Sequence, residues 1–193
     1  PFLFAKSLQI LNKKYENNFY LQQGVCDLNP DVDAIYRMYK KKIDVKFKDI
    51  KINIASSLTP FNSQNTTWHK SLLPLMYLPV TCTMRCTDIW RSLIALRILG
   101  INSMNIMFDG PTVFQKRNYH NLEKDFKDEI SMYMNNKKIY DILKKLKLKK
   151  GIKNFDINLL SCYKILVQNN FFKKNEIIFL KAWLIDCKNL KLN

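Results

Sequence analysis

Residues 60–99 read PFNSQNTTWHKSLLPLMYLPVTCTMRCTDIWRSLIALRIL, and within them the chain passes from a polar loop to a long apolar-periodic segment. Asn62, Ser63, Gln64 and Asn65 form a run with no apolar member, followed by Trp68 and His69. Such a run reads as a loop or a strand end. Leu72 to Met76 then reads as a short helix, and Val80 to Met84, rich in β-branched residues, as a strand. From Ile89 onward the apolar positions Ile89, Leu93, Ile94, Leu96 and Ile98 have helical spacing. A helix is therefore predicted here, capped by Thr87 or Asp88 and ending at Gly100 in the left-handed conformation. Asp88 is set among Arg85, Arg91 and Trp90. A helix N-terminus stabilises a carboxylate anion by about 0.3–1 kcal/mol, and flanking arginines add to that effect. Asp88 is expected to be ionised at neutral pH.

Working upstream, Pro1 to Tyr20 has a pattern that suits a helix, closed by Gln22-Gln23-Gly24. Asp31-Val32-Asp33 has two readings. On an extended strand both carboxylates lie on one side and can share a divalent cation. Alternatively Asn29-Pro30-Asp31 is a turn and Asp31 or Asp33 caps a helix from Ala34 to Lys40; a turn plus cap accounts for every residue without a ligand. Val45, Phe47, Ile50, Ile52 and Ile54 mark one or two strands.

Downstream, Met104 to Phe108 reads as a strand leading into a turn at Asp109-Gly110-Pro111. A second polar concentration follows at Gln115 to Asn121, where Arg117 and His120 precede a helix from Leu122 to Met134 with an apolar stripe at Leu122, Phe126, Ile130 and Tyr133. On composition alone His120 reads as a surface or capping residue. Further helices are predicted over Ile139–Leu148, Ile157–Val167 and Glu176–Leu190, with a break at Gly151, and their apolar stripes are expected to pack on one another. Alternating strands and helices indicate an α/β fold.

The 193 residues suffice for one domain with an ordinary core, and 47% apolar content argues against disorder. No apolar run reaches the roughly 18 residues of a membrane span, since Leu72 to Val80 is short and interrupted by Pro74 and Pro79. The start on Pro1, with no initiator Met or cleavable leader pattern, suggests a fragment. Five cysteines without a C-x-x-C pair argue against a zinc site and a disulfide framework, and read as buried thiols. The net charge of +16 invites a nucleic-acid reading, with Lys137 to Lys153 as its densest run. That run contains only Tyr140 for base stacking, and the lysine excess is scattered as in a chain coded by an A- and T-rich genome, so nucleic acid is disfavoured.

The order of the polar blocks carries a resemblance. Asn29-Pro30-Asp31-Val32-Asp33-Ala34-Ile35-Tyr36-Arg37, Pro60-Phe61-Asn62-Ser63-Gln64-Asn65-Thr66, Leu78-Pro79-Val80, Arg85 with Thr87-Asp88-Ile89-Trp90-Arg91, and Pro111-Thr112-Val113 with Gln115, Arg117-Asn118 and His120-Asn121 together resemble the STELLO family of glycosyltransferases. The similarity covers roughly Gly24 to Glu129. Family members known from plants are Golgi membrane proteins associated with assembly of cellulose synthase complexes, and their enzymatic activity is inferred from sequence. More distantly, the layout is similar to reversibly glycosylated polypeptides and UDP-arabinopyranose mutases.

Both resemblances imply the C-terminal part of a GT-A-like nucleotide-sugar transferase fold over residues 1–135, followed by a small helical extension over 136–193. Asp88 would be the catalytic carboxylate, acting as base or orienting sugar hydroxyls. Asn62, Ser63, Gln64 and Asn65 would hydrogen-bond sugar or nucleotide groups. Arg85, Arg91 and Arg117 would meet substrate charge, Trp90 would present an apolar face to a sugar ring, and His120 would complete the substrate-binding set. The structural alternatives are a self-satisfied amide loop and an Arg85–Asp88 ion pair beside a core Trp90. A divalent cation, Mn²⁺ or Mg²⁺, would be held by ligands outside this chain, in an N-terminal nucleotide-binding half. The partners implied are a nucleotide-sugar donor, a carbohydrate acceptor and a polysaccharide synthase complex, with a Golgi lumenal location. Three functions follow in order: sugar transfer or rearrangement, a non-catalytic scaffold of the same fold, and a basic nucleic-acid-binding domain.

Overall fold

In the computed structural model, which describes residues 19–40, 42–47, 53–55 and 59–190, two parallel strands carry the fold. Strand β1 (Leu21–Leu28) pairs with β4 (Ile106–Gln115), and β3 (Thr66–Trp68) and β2 (Asn53–Ala55) add antiparallel on the outer sides, giving the order β2-β4-β1-β3. A parallel pair needs a crossover, and here the crossover contains helix α1 (Ala34–Tyr39), β2, β3, a 3₁₀ segment Lys70–Met76 and helix α2 (Thr87–Ile101). Three helices complete the chain: α3 (Leu122–Lys145), α4 (Phe155–Gln168) and α5 (Glu176–Asn189). The α/β architecture expected from the alternation is what is found. Residues 1–18 of the predicted helix over Pro1–Tyr20 and the strand residues Ile50 and Ile52 fall outside the described residues.

Gln22-Gln23-Gly24 does not close a helix but lies within β1. Polar side chains are tolerated in this inner strand because neighbouring groups satisfy them. The Gln22 amide donates to Asp109 Oδ2 at 2.8 Å, and Gln23 donates to the Gly24 and Asn65 carbonyls while accepting from Thr66 Oγ1. Asp109-Gly110-Pro111 is likewise not a turn. It lies inside β4, where Gly24 faces Asp109 and Cys26 faces Val113, so that Gly110, Pro111 and Thr112 lie opposite Val25 alone. A bulge is where a strand can place a proline, which has no N–H to donate.

Helix α2 runs through the core, with Trp90 to Leu96, Ile98 and Leu99 all buried. Neither Thr87 nor Asp88 caps it: a 3₁₀ turn, Met84–Cys86, leads in, and Cys86 is the capping residue, with no side-chain bond to the helix. Gly100 is helical, and the left-handed residue is Ser103 (φ 54°). There Met104 N–H reaches back to the Leu99 carbonyl, while Asn102 bonds the Ile98 carbonyl and accepts from Gly151 N–H.

The expected strand at Val80–Met84 is also absent, for a reason that lies far along the chain. The N–H groups of Val80 and Thr81 donate to the carboxylate of Glu176, a fully buried residue at the start of α5. Thr81 Oγ1 and Tyr77 OH donate to the same carboxylate, each at 2.5 Å. Backbone committed to a helix start cannot join a sheet ladder.

The two helices expected over Leu122–Met134 and Ile139–Leu148 are one, α3, which continues unbroken through residues 135 and 136. Its phase differs from the apolar stripe: Phe126 and Ile130 are exposed, whereas Asp125, Glu129, Met132, Ile139 and Leu143 are buried. Arg97 of α2 donates to the Leu143 and Leu146 carbonyls at its C-terminal end, where a cation is favoured. Helices α4 and α5 fall where predicted and pack on each other and on the Lys70–Met76 segment, and α4 also packs on α2. Trp183 of α5 donates to the Pro74 carbonyl, and Tyr163 of α4 sits between Tyr77 and Phe172. One core joins sheet and helices. No helix among the described residues is long and apolar enough to cross a membrane.

Because Glu176 takes bonds from three residues of the crossover, its removal should be costly. Glu176→Ala is expected to lower unfolding free energy by about 3 kcal/mol in urea titration, the scale of lost charge-assisted hydrogen bonds plus donors left unsatisfied, with Glu176→Gln losing less.

Candidate active site

Asp88 lies in the first turn of α2, and both its oxygens are engaged by backbone. Oδ1 accepts from Ile89 N–H at 2.9 Å and Oδ2 from Ser63 N–H at 3.0 Å. It lines a cleft of about 510 Å³ together with Asp31, Asn62, Ser63, Arg85, His120 and Glu129. Burial pushes the Asp88 carboxyl above the usual carboxylate value, with the charge of Asp31 adding to the rise; the two N–H bonds and Arg91 oppose it without prevailing. Desolvation thus outweighs the anion-stabilising contributions of the two N–H groups and Arg91.

The flanking arginines turn elsewhere. Arg85 donates through Nε at 2.8 Å and through Nη2 at 2.5 Å to Glu129 Oε1, and lies 3.6 Å from Asp31. No Arg85–Asp88 pair forms. Arg91 is buried, with its guanidinium 5.0 Å from the Trp68 ring centroid and 5.7 Å from that of Phe61, and donates to Ser63 Oγ. Burial lowers its pKa, and it braces the Ser63 loop from beneath rather than facing the cleft. Trp90 is 2% exposed: its rings pack on Phe171 and Phe172, and its indole N–H donates to Asn136 Oδ1. That ring is covered by protein and offers no face to a sugar.

The amide run closes on itself. Asn62 Oδ1 accepts from Gln64 N–H and from Gln23; Gln64 Oε1 accepts from Asp31 N–H; and the Gln64 amide meets the Gln115 side chain. Asn65 donates to the Val25 carbonyl and to Thr112 Oγ1, and its own carbonyl accepts from Gly24 N–H. A Cβ on Gly24 would stand 2.3 Å from the Asn65 amide nitrogen, so glycine is what lets the loop lie against β1. The side chains of Asn62, Gln64 and Asn65 thus hold the loop, and the loop aims Ser63 N–H at Asp88.

Asp31-Val32-Asp33 follows the capping reading. Asp33 Oδ1 accepts from Tyr36 N–H as the cap of α1, while Asp31 points the other way, 3.6 Å from both Arg85 and Arg117. These two carboxylates do not converge on a cation, and the described residues hold no group of three metal-ligating side chains that could. Arg117 also pairs with Asp125 at 3.1 Å, and His120 Nδ1 lies 3.2 Å from the same carboxylate. Asn121, not His120, caps α3.

Two important residues were absent from the sequence-based set. Asp31, considered from the sequence only as a cation ligand or a cap, lines the cleft with Asp88, and Glu129 anchors Arg85, Ala34 N–H and Tyr133 OH. The available signal was the spacing of Asp125, Glu129 and Met132, which places an acidic pair on the helix face that turns out to be buried.

The sequence profile of the family described as STELLO glycosyltransferases matches residues 85–193, more than half of the chain. It takes in α2 through α5, so the helical end lies within the matched region, beyond the Gly24–Glu129 span of the resemblance. Two curated proteins of Arabidopsis thaliana are similar over 175 residues, 86% of this chain: "Probable glycosyltransferase STELLO2" at 26% identity and "Probable glycosyltransferase STELLO1" at 23%. The chain spans 22% of the length of each.

The raised pKa of Asp88 has a signed consequence. A carboxyl that binds its proton more readily in the folded state contributes stability below its ordinary value of 3.8, and that contribution is lost as pH rises through the folded value. The stability of wild type relative to Asp88→Asn should therefore fall as pH rises from the ordinary carboxylate range toward neutrality. Thermal unfolding across pH checks this.

Proposed function

The chain belongs to the STELLO glycosyltransferase family, and on that premise we propose that the cleft around Asp88 is the acceptor side of a sugar-transfer site in a GT-A-like fold. The observation that carries the reading is Asp88 itself: a carboxylate in an open cleft whose basicity is raised by burial and whose position is held by two backbone N–H groups. Each oxygen keeps a further lone pair for a ligand.

The chemistry follows from that placement. An acceptor hydroxyl donates to Asp88, its oxygen attacks the anomeric carbon of the donor, and the bond from that carbon to phosphate oxygen breaks with its electron pair. The proton passes to Asp88. A base whose pKa is moved toward the working pH accepts that proton more effectively, which is what desolvation of Asp88 supplies. Asp31, held between Arg85 and Arg117, is placed to accept hydrogen bonds from sugar hydroxyls. In this reading the amide loop and Arg91 position the site rather than contact the sugar. The donor is a nucleotide sugar and the acceptor a carbohydrate. In this reading the ligands of Mn²⁺ or Mg²⁺ lie elsewhere in the full-length protein, and no step runs through the metal. Association with a polysaccharide synthase complex in the Golgi is part of the same proposal.

The test is titration of the full-length protein with UDP- and GDP-sugars, with and without Mn²⁺. Turnover should fall about 10²–10⁴-fold in Asp88→Asn, the contribution of a positioned general base. A folded protein that binds no nucleotide sugar under any condition would instead support the scaffold reading.

A further inference from the structure

A second cleft, of about 560 Å³, opens between the end of β1, the end of α1 and the end of β4. Its size falls in the ordinary range for small-ligand sites. Five cationic side chains line it, Arg37, Lys40, Lys42, Lys116 and Arg117, against one carboxylate, Asp44. His120 lines this cleft and also the cleft that contains Asp88, so the two share a wall.

The cations are not all loose surface groups. Arg37 is 8% exposed, and its guanidinium is fixed by the Asn29 side chain and the carbonyls of Pro30 and Val32. Burial and the nearby charges of Arg117 and Arg85 depress its pKa, with Asp31 and Asp125 opposing the shift. The Arg117 side chain is 10% exposed, and its Nε is buried with no hydrogen-bond partner. Its two Nη atoms face Asp31 and Asp125, which leaves Nε as a donor without an acceptor in a cationic cleft. Several cationic side chains converging on one cleft are the arrangement that a polyanionic ligand neutralises.

We propose that the basic cleft is the diphosphate subsite of the donor, met by side chains of this chain, with the sugar reaching past His120 toward Asp88. The inference rests on the sugar-transfer reading, since it is that reading which makes the diphosphate part of a nucleotide sugar. Lys42 and Lys116 are exposed, so replacing them leaves the fold intact. Asp125, which orients both Arg117 and His120, is a positioning residue in this arrangement.

The experiment is calorimetric titration of the full-length protein with inorganic pyrophosphate, UDP and a single-stranded oligonucleotide, comparing wild type, Lys42→Ala/Lys116→Ala and Asp88→Asn. Pyrophosphate should bind and compete with UDP, and its Kd should rise about tenfold or more in the double lysine variant while staying within about twofold in Asp88→Asn. Pyrophosphate that does not bind, or binds equally well without the two lysines, overturns the proposal. So does an oligonucleotide that binds more tightly than pyrophosphate through the same lysines. If sugar transfer is absent yet pyrophosphate binds through Lys42 and Lys116, the anion subsite stands and the catalytic reading falls.

Discussion

Glu129 is a carboxylate with 1% exposure in the middle of α3, and the geometry of the cleft depends on how its charge is satisfied. A buried anion without partners is strongly destabilising, so this face of the helix can be buried only with its donors present. Those donors are Arg85 through two nitrogens, Ala34 N–H at the start of α1 and Tyr133 OH on the next turn. Each draws a different element to α3. Ala34 brings α1 with its cap Asp33, and hence sets where Asp31 points; Arg85 brings the 3₁₀ turn that leads into α2, and hence the start of the helix on which Asp88 stands. Two carboxylates from distant parts of the chain then face one cleft.

Glu176 has the same role at the other end of the crossover. It gathers Tyr77, Val80 and Thr81 onto the start of α5, so the helical part of the chain fixes a segment that would otherwise be free to extend. Burial of the Tyr77 hydroxyl beside this carboxylate raises its pKa, as does burial of the Tyr133 hydroxyl beside Glu129, and both phenols remain donors throughout the physiological range. The two glutamates tie α3 and α5 to the crossover, while α4 joins the same core through apolar contacts.

Around Asp88 two physical effects compete. The helix start and the Ser63 N–H favour the anion, and removal from water disfavours it; burial prevails. A carboxylate held by rigid donors yet raised in basicity is suited to accept a proton, and that combination needs a loop that does not move. The amides of Asn62, Gln64 and Asn65 supply the rigidity through bonds to β1, β4 and the Asp31 backbone, with Arg91 stacked below on Phe61 and Trp68.

What the sequence determined by itself was local. A cap at Asp31 or Asp33 before α1, the existence of α2, and the extents of α4 and α5 were legible, because short-range spacing and local turn chemistry dictate them. Family resemblance was legible too, from the order of the polar blocks. What only the tertiary structure decided were effects set by partners far along the chain. Gln22 and Gln23 enter a strand because Asp109, Asn65 and Thr66 satisfy them. The face of α3 that bears Glu129 is buried because Arg85 and Ala34 lie opposite it. Trp90 faces Phe171 and Phe172 rather than a ligand. Arg85 chooses Glu129 over Asp88 for the same reason: hydrogen-bond satisfaction and desolvation depend on which groups meet in space, and sequence spacing carries no record of that.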